Sequence, residues 1–217
     1  MTKRITPYYQ EGRSAGDLGY SNLLLGDVVS KGSAFGAIYS SVEWLQHGLQ
    51  KYIYTDKRNY TPLIMSQIEE PDAAFLEWLY ESLFSLSAFC YRKGNTEEQY
   101  GLMFPDKAYD FMTNRVEFLK SNEKEHSSEF IEVRGTLNKL RLQTRDVERH
   151  FVAWFNEPVI IQEYRTHENV YDNILRQQRF LNRLSTYFYW LTRYASIRSG
   201  ASHRQWISRV PDFPIKD

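Results

Sequence analysis

Cysteine occurs once in the 217 residues, at Cys90, which excludes a disulfide framework within the chain and any metal site built from several thiolates. An excess of one charge is also missing. Lysine plus arginine and aspartate plus glutamate number 27 each, so no net field draws nucleic acid or an anionic membrane to the chain, and any anion site must be local. No stretch reaches the roughly 18 apolar residues of a membrane span, and Met1-Thr2-Lys3-Arg4-Ile5 leads into polar residues instead of an apolar leader. A cytoplasmic protein with no membrane partner is expected. Seven prolines and 11 glycines never gather into a linker, so residues 1–217 read as one domain, with 1–32 as an N-terminal segment and 199–217 as a tail. The five histidines, at 47, 126, 150, 167 and 203, never stand at metal-ligand spacing with a second histidine or cysteine, and no residue is assigned to a metal. A Walker loop, a dinucleotide fingerprint and a nucleophile elbow are all absent.

What is present is helical periodicity. Hydrophobic content of 42% with 16% aromatics supplies a core, while a mean hydropathy of −0.56 leaves much of each helix facing water. Apolar residues recur at spacings of three and four over five segments. About 33–54 places Ile38, Val42, Leu45, Leu49 and Tyr52 on one face. The second starts near Pro71-Asp72 and repeats Leu76, Leu79, Leu83, Leu86 and Cys90 until Gly94 stops it. Cys90 thus falls on an apolar stripe and reads as a buried thiol. The third opens around Pro105-Asp106 and carries Met112, Val116 and Leu119; the fourth follows Gly135 with Leu137, Leu140, Thr144, Val147, Phe151 and Trp154, limited by Pro158. The fifth, about 170–198, holds Ile174, Leu181, Leu184, Phe188, Leu191 and Ala195. Its arginines at 176, 179 and 183 lie among aromatics and amides, but the apolar stripe makes it a packed helix and not an RNA-binding run. Segments before 33 and at 55–70, 94–104 and 156–169 read as connections. The fold class is all-α, a five-helix bundle. Trp206 and Phe213 allow the tail to lie across a neighbour.

Three constellations can carry chemistry. Arg13-Ser14-Ala15-Gly16-Asp17-Leu18-Gly19-Tyr20-Ser21 has two glycines three apart, which permit a tight turn with exposed N–H groups. It is either a plain loop or a cradle for phosphate, in which Asp17 caps a turn or helps hold magnesium. Arg141, Arg145 and Arg149 stand four apart on the fourth helix, where like charges cost a few tenths of a kcal/mol, about 0.2–0.5 per pair. Either local pairing with Asp146 and Glu148 offsets that cost or a polyanion lies across the stripe. Glu43 is either a solvated carboxylate or a group that fixes a guanidinium in place.

In this order the motifs resemble the PduO-type ATP:cob(I)alamin adenosyltransferase family over most of the chain. Gly16-Asp17-x-Gly19-x-Ser21 resembles its Thr-Gly-Asp-x-Gly-Thr-Thr loop; without a gap, Val29-Ser30-Lys31 falls on its Val-Ser-Lys and Tyr39-x-x-Val42-Glu43-x-Leu45 on its Tyr-Gly-x-Val-Asp-Glu-Leu-Asn. Phe130-Ile131-x-x-x-Gly135 is similar to its Phe-x-Leu-Pro-Gly-Gly turn. Leu137-x-x-x-Arg141-x-x-x-Arg145-x-x-Glu148-Arg149 resembles its arginine helix, the most specific segment, and Phe180-Leu181-Asn182-Arg183-Leu184-Ser185 and Leu191-x-Arg193-Tyr194-Ala195 are similar to its closing Tyr-Leu-Asn-Arg-Leu-Ser-Asp and Leu-Ala-Arg-Tyr-Ala-Asn.

The resemblance implies transfer of the deoxyadenosyl group of ATP to the cobalt of a reduced corrinoid, giving adenosylcobalamin and triphosphate, with ATP, magnesium and cobalamin as the small molecules. Arg145 and Arg149 would bind the triphosphate, Glu43 would hold Arg145, and Phe130 would crowd the lower axial face of cobalt. Arg13, Ser14, Gly16, Asp17, Gly19, Ser21, Lys31, Arg141, Glu148 and Asn182 would complete the nucleotide site. A homotrimer with sites between subunits is implied. Departures from the pattern include Ala15 and Tyr20 in place of the loop threonines, Trp44 and Gln46 in the first helix, Asp146 for one of the paired arginines, and Thr186 for an aspartate. They define the alternative, a homologue that binds ATP or corrinoid without turnover as a sensor, carrier or assembly partner, favoured if the Trp44 ring fills the nucleotide's space.

Overall fold

The computed structural model describes residues 20–22, 28–30, 32–54, 68–91, 103–123, 135–158, 161 and 168–198. Five long helices carry the fold: α1 Ala34–Tyr54, α2 Glu70–Tyr91, α3 Asp106–Glu123, α4 Thr136–Phe155 and α5 Glu168–Arg198. Their limits follow the local signals. Ser33 caps α1, its Oγ accepting from Gly36 N–H at 3.1 Å while its own N–H donates to Ser30 O at 3.0 Å. Pro71 sits in the first turn of α2, where a missing N–H costs nothing. Gly135 precedes α4 with φ of 92°, a conformation that a side chain would strain. The Asn156 N–H and side-chain amide both bond Val152 O, closing the other end of α4.

Every apolar residue that the periodicity assigns to a buried stripe is buried, Cys90 among them, and burial pushes that thiol's pKa well up. The helices pack in the order α2–α1–α4–α5–α3. Large aromatics close the ring: Phe75 of α2 stacks on Phe111 of α3 at 4.8 Å and meets Tyr187 of α5 edge-on at 5.2 Å. Where α1 meets α4 the backbones approach closely instead. Gln143 Nε2 donates to Trp44 O at 3.0 Å, and a Cβ on Gly48 would run into the Gln143 amide and come within 2.8 Å of Leu140 Cδ2.

One difference from the sequence reading lies ahead of α1. The segment read as a connection contains a hairpin, β1 Tyr20–Asn22 antiparallel to β2 Val28–Ser30, with Ser21 opposite Val29. Three-residue strands are too short to produce a readable alternation. β2 touches α1, so this hairpin sits at the N-terminal end of the bundle's first helix.

Candidate functional site

The arginine stripe begins with Arg141 on the flank of α4 that meets α5, where Tyr189 is near enough to affect its charge, and winds outward from there to the exposed Arg149. Phe155 of α4 packs on Tyr171 of α5 with ring centroids 5.8 Å apart, which fixes the antiparallel register of the two helices. Tyr171 and Tyr189 are separated by about five whole turns, so they share one stripe of α5. Arg141, Glu148 and Phe155 form the matching stripe of α4 at heptad spacing. A groove results, with Arg141 at the level of Tyr189 and Asn182 at the level of Arg145 and Glu148.

The polar groups of this groove are incompletely matched. Arg141 Nε donates to Asn138 Oδ1 at 2.8 Å; burial lowers its pKa, and the neighbouring Arg145 lowers it further. Arg149 pairs with Asp146 on the solvent side, three residues away. Local pairing therefore accounts for Arg149. It does not account for Arg145, which is exposed and forms no hydrogen bond or ion pair among the described residues; Glu148 only lowers its charge cost from a distance. Burial raises the Glu148 carboxyl against the pull of Arg145. Among the described residues the stripe thus keeps one guanidinium without a partner, and a guanidinium carries the fork of donors that carboxylate and phosphate oxygens accept.

Glu43 lies elsewhere within the chain. Tyr39 lies close to it, so that burial and then the Glu43 carboxylate raise the phenol's pKa, and no ion pair joins Glu43 to Arg145. The Gln143–Trp44 hydrogen bond puts Glu43 and Arg145 at nearly the same height, but on different sides of the α1–α4 pair. Glu43 is on the flank of α1 near α2, where Gln46 Nε2 donates to Tyr80 O at 3.0 Å, while Arg145 is exposed on a face of α4 other than the Gln143 face that meets α1. Trp44 is half exposed; its ring stacks with His47 at 5.9 Å and lies under the Lys139 ammonium at 5.0 Å. Lys139 is on the α1 flank of α4, opposite Arg141, so the indole leaves this chain's own stripe uncovered. Ser21 is carried by β1. Arg13, Ser14, Gly16, Asp17, Gly19, Lys31, Phe130 and the tail residues Trp206 and Phe213 lie outside the described residues.

A second charged cluster has no counterpart in the sequence reading. Asp72, fully buried at the start of α2, accepts from Arg115 Nε at 3.1 Å, Arg115 Nη2 at 2.5 Å and the Tyr187 hydroxyl at 2.8 Å. The same Nη2 donates to Glu69 at 3.0 Å, and Glu69 accepts from the Tyr194 hydroxyl at 2.7 Å. Tyr194 first, and then Arg115, hold the Glu69 carboxyl below its ordinary range. Burial works against the Arg115 charge, but Asp72 and Glu69 outweigh it and raise the guanidinium's pKa. Burial, then the nearby Asp72, pushes Tyr187 far up. The signal that could have found this cluster is that Asp72 falls on the apolar stripe of α2, four residues before Leu76, where a carboxylate requires a buried partner.

Comparison with known proteins places the bundle. The sequence pattern of the cobalamin adenosyltransferase family matches residues 13–195. No curated protein matches the chain. Among solved structures, it is similar to a phenylalanine-to-alanine variant of a PduO-type ATP:corrinoid adenosyltransferase from Lactobacillus reuteri complexed with cobalamin and ATP. The identity is 19%, the TM-score 0.60, and the match covers 88% of this chain and 96% of that one. An arginine-to-lysine variant of the Lactobacillus reuteri enzyme complexed with ATP matches at 20% identity and a TM-score of 0.60, over 88% and 97% of the two chains. These likenesses establish the shared helical fold.

Proposed function

The chain belongs to the cobalamin adenosyltransferase family, and from that premise we propose that it transfers the deoxyadenosyl group of ATP to a reduced corrinoid. The observation that carries the reading is the α4 stripe, in which Arg145, between Arg141 and the Asp146-bound Arg149, has no partner among the described residues. In the reaction a cobalt–carbon bond forms at C5′ of the nucleoside as the C5′–oxygen bond breaks, and the electron pair of that bond leaves with triphosphate. Reduced cobalt is itself the nucleophile, so the protein needs to supply none. Its residues orient the two substrates and neutralise the leaving group.

Arg145, Arg149 and Arg141 are assigned to the triphosphate, with Lys31, Ser21 and the Gly16–Gly19 backbone arriving from the N-terminal segment together with Arg13, Ser14 and Asp17. Asn182 and Glu148 line the groove beside them. Phe130 is assigned to the lower face of cobalt. Magnesium belongs to the reading as a companion of the triphosphate, an ion that binds phosphate and water with at most one or two carboxylates.

We assign the chain to a cytoplasmic homotrimer built from one domain. No helix among the described residues is long and apolar enough to cross a membrane. The trimer is supported by Glu43 and Arg145 occupying one height on different sides of the chain, so that a carboxylate–guanidinium pair between them needs two copies. Half-exposed Trp44 and Leu142 supply apolar surface for such a contact.

The experiment mixes the purified protein with ATP, magnesium and chemically reduced cobalamin and follows the absorption spectrum. Conversion to the alkylated corrinoid spectrum is expected, with release of triphosphate. An unchanged spectrum with ATP still bound would select the alternative, a binding protein without turnover.

A further inference from the structure

The α5 wall of the groove carries a polar group that neither the motif order nor the family resemblance singles out. Tyr189 is half-buried on the stripe that faces α4, at the level of Arg141. Its phenolic oxygen accepts a hydrogen bond from Arg193 Nη1 at 2.9 Å. Arg193 is 7% exposed, and its guanidinium also lies 5.5 Å from the Tyr189 ring centroid and 5.3 Å from that of Trp190. Trp190 in turn meets Tyr189 edge-on at 5.4 Å. Ring, hydroxyl and guanidinium therefore brace one another.

The direction of that hydrogen bond decides what the hydroxyl can do. A guanidinium has only donors, so Tyr189 must use its oxygen as an acceptor toward Arg193. Its own O–H then points away from Arg193, and it donates to nothing among the described residues. Tyr189 is on the stripe of α5 that meets α4 through Tyr171, and it lies near enough to Arg141 to affect that guanidinium's charge. A neighbouring cation on the oxygen also makes the O–H a better donor to an anion.

We propose that Tyr189 binds a phosphate oxygen of the nucleotide, as a neutral donor whose polarity is set by Arg193, and thus extends the anion site from α4 onto α5. Arg193 is a positioning residue here, acting through Tyr189. The inference rests on the reading of the α4 stripe as the triphosphate site, and it adds a contact that is neither charged nor on that helix.

Titration calorimetry of the full chain with inorganic tripolyphosphate tests both layers separately, using the wild type, Arg145→Ala and Tyr189→Phe. Tyr189→Phe keeps the ring and its packing, and is expected to weaken tripolyphosphate binding by about tenfold, the loss of one hydrogen bond to a charged group. Its melting temperature and its affinity for cobalamin should match the wild type. Tripolyphosphate affinity equal to wild type in Tyr189→Phe, alongside weakened binding in Arg145→Ala, would overturn this inference and leave the stripe intact. Absence of tripolyphosphate binding in the wild type would overturn the stripe reading and this one with it. Should Tyr189→Phe melt early, Arg193→Gln provides the second variant. Glutamine removes the charged, donor-only partner and can accept as well as donate, so the tyrosine proton loses its fixed direction, a loss of tripolyphosphate affinity is again expected, and unchanged affinity would overturn the proposal.

Discussion

Arg115 and Arg145 are the same side chain on neighbouring parts of one bundle, and they have opposite surroundings. Arg115 is held by Asp72 and Glu69 through two of its nitrogens, has Phe118 at 4.4 Å from its guanidinium carbon, and keeps only 13% of its side chain exposed. Arg145 is exposed, has arginines four residues away on both sides, and engages no carboxylate directly among the described residues. A buried guanidinium with every strong partner in place serves the fold, because desolvation would otherwise expel it. One left without a partner, at a cost from like-charge neighbours, is available to a ligand. What separates structure from function among these arginines is saturation and not charge.

Breaking the saturated cluster should have the largest effect. Asp72→Ala leaves Arg115 with one carboxylate and Tyr187 with none, and should cost about 3–5 kcal/mol of stability, the usual consequence of removing one partner of a buried pair. Urea denaturation of variant and wild type measures it. A loss under 1 kcal/mol would mean that this cluster is no more structural than a surface pair.

The open stripe should respond in the opposite way. Arg149→Ala should weaken triphosphate binding by about 1.5–3 kcal/mol, as for a charge-assisted bond, and leave the melting temperature nearly unchanged because its pair with Asp146 is exposed. Equal losses of heat stability and affinity would erase the contrast between the two arginine clusters.

The smallest effect separates the two clusters by pH. Glu69 has its pKa lowered in the fold, so it contributes stability above the ordinary carboxylate range that is lost as pH falls through its folded value. Glu148 has its pKa raised by burial, so the sign reverses: as pH rises through the ordinary carboxylate range toward its folded value, its ionisation costs stability. Melting temperature against pH should therefore lose part of its acid-side fall in Glu69→Gln, whereas Glu148→Gln should melt at or above the wild type near neutral pH. Parallel profiles for the two variants would show that the carboxylates sit in equivalent surroundings.

The two clusters also differ in how far they could be read from the residues. Arg141, Arg145 and Arg149 declare a common face by their spacing, because a helix repeats every 3.6 residues whatever it packs against. Within the chain, however, spacing could not say that Asp146 would claim Arg149 and that Arg145 would remain unpaired. Nor could it place Glu43 on the flank of α1 near α2, because which side of α1 meets which helix is set by the packing of the bundle. Asp72 was read as a helix start signal, which it is; that it is also the centre of a buried network depends on α3 and α5 bringing Arg115 and Tyr187 to it from 43 and 115 residues away. The hairpin before α1 escaped because its strands are shorter than the pattern needed to detect them.

From the residues alone came the five helices, the face that each buries and the stripe of positive charge, all consequences of a backbone period that acts over one or two turns. Tertiary structure alone decided which charges are consumed by the fold and which stay available. A hydrogen bond forms only within about 3 Å, and whether two groups far apart in the chain come that close is set by the packing and register of whole helices, which no local pattern encodes.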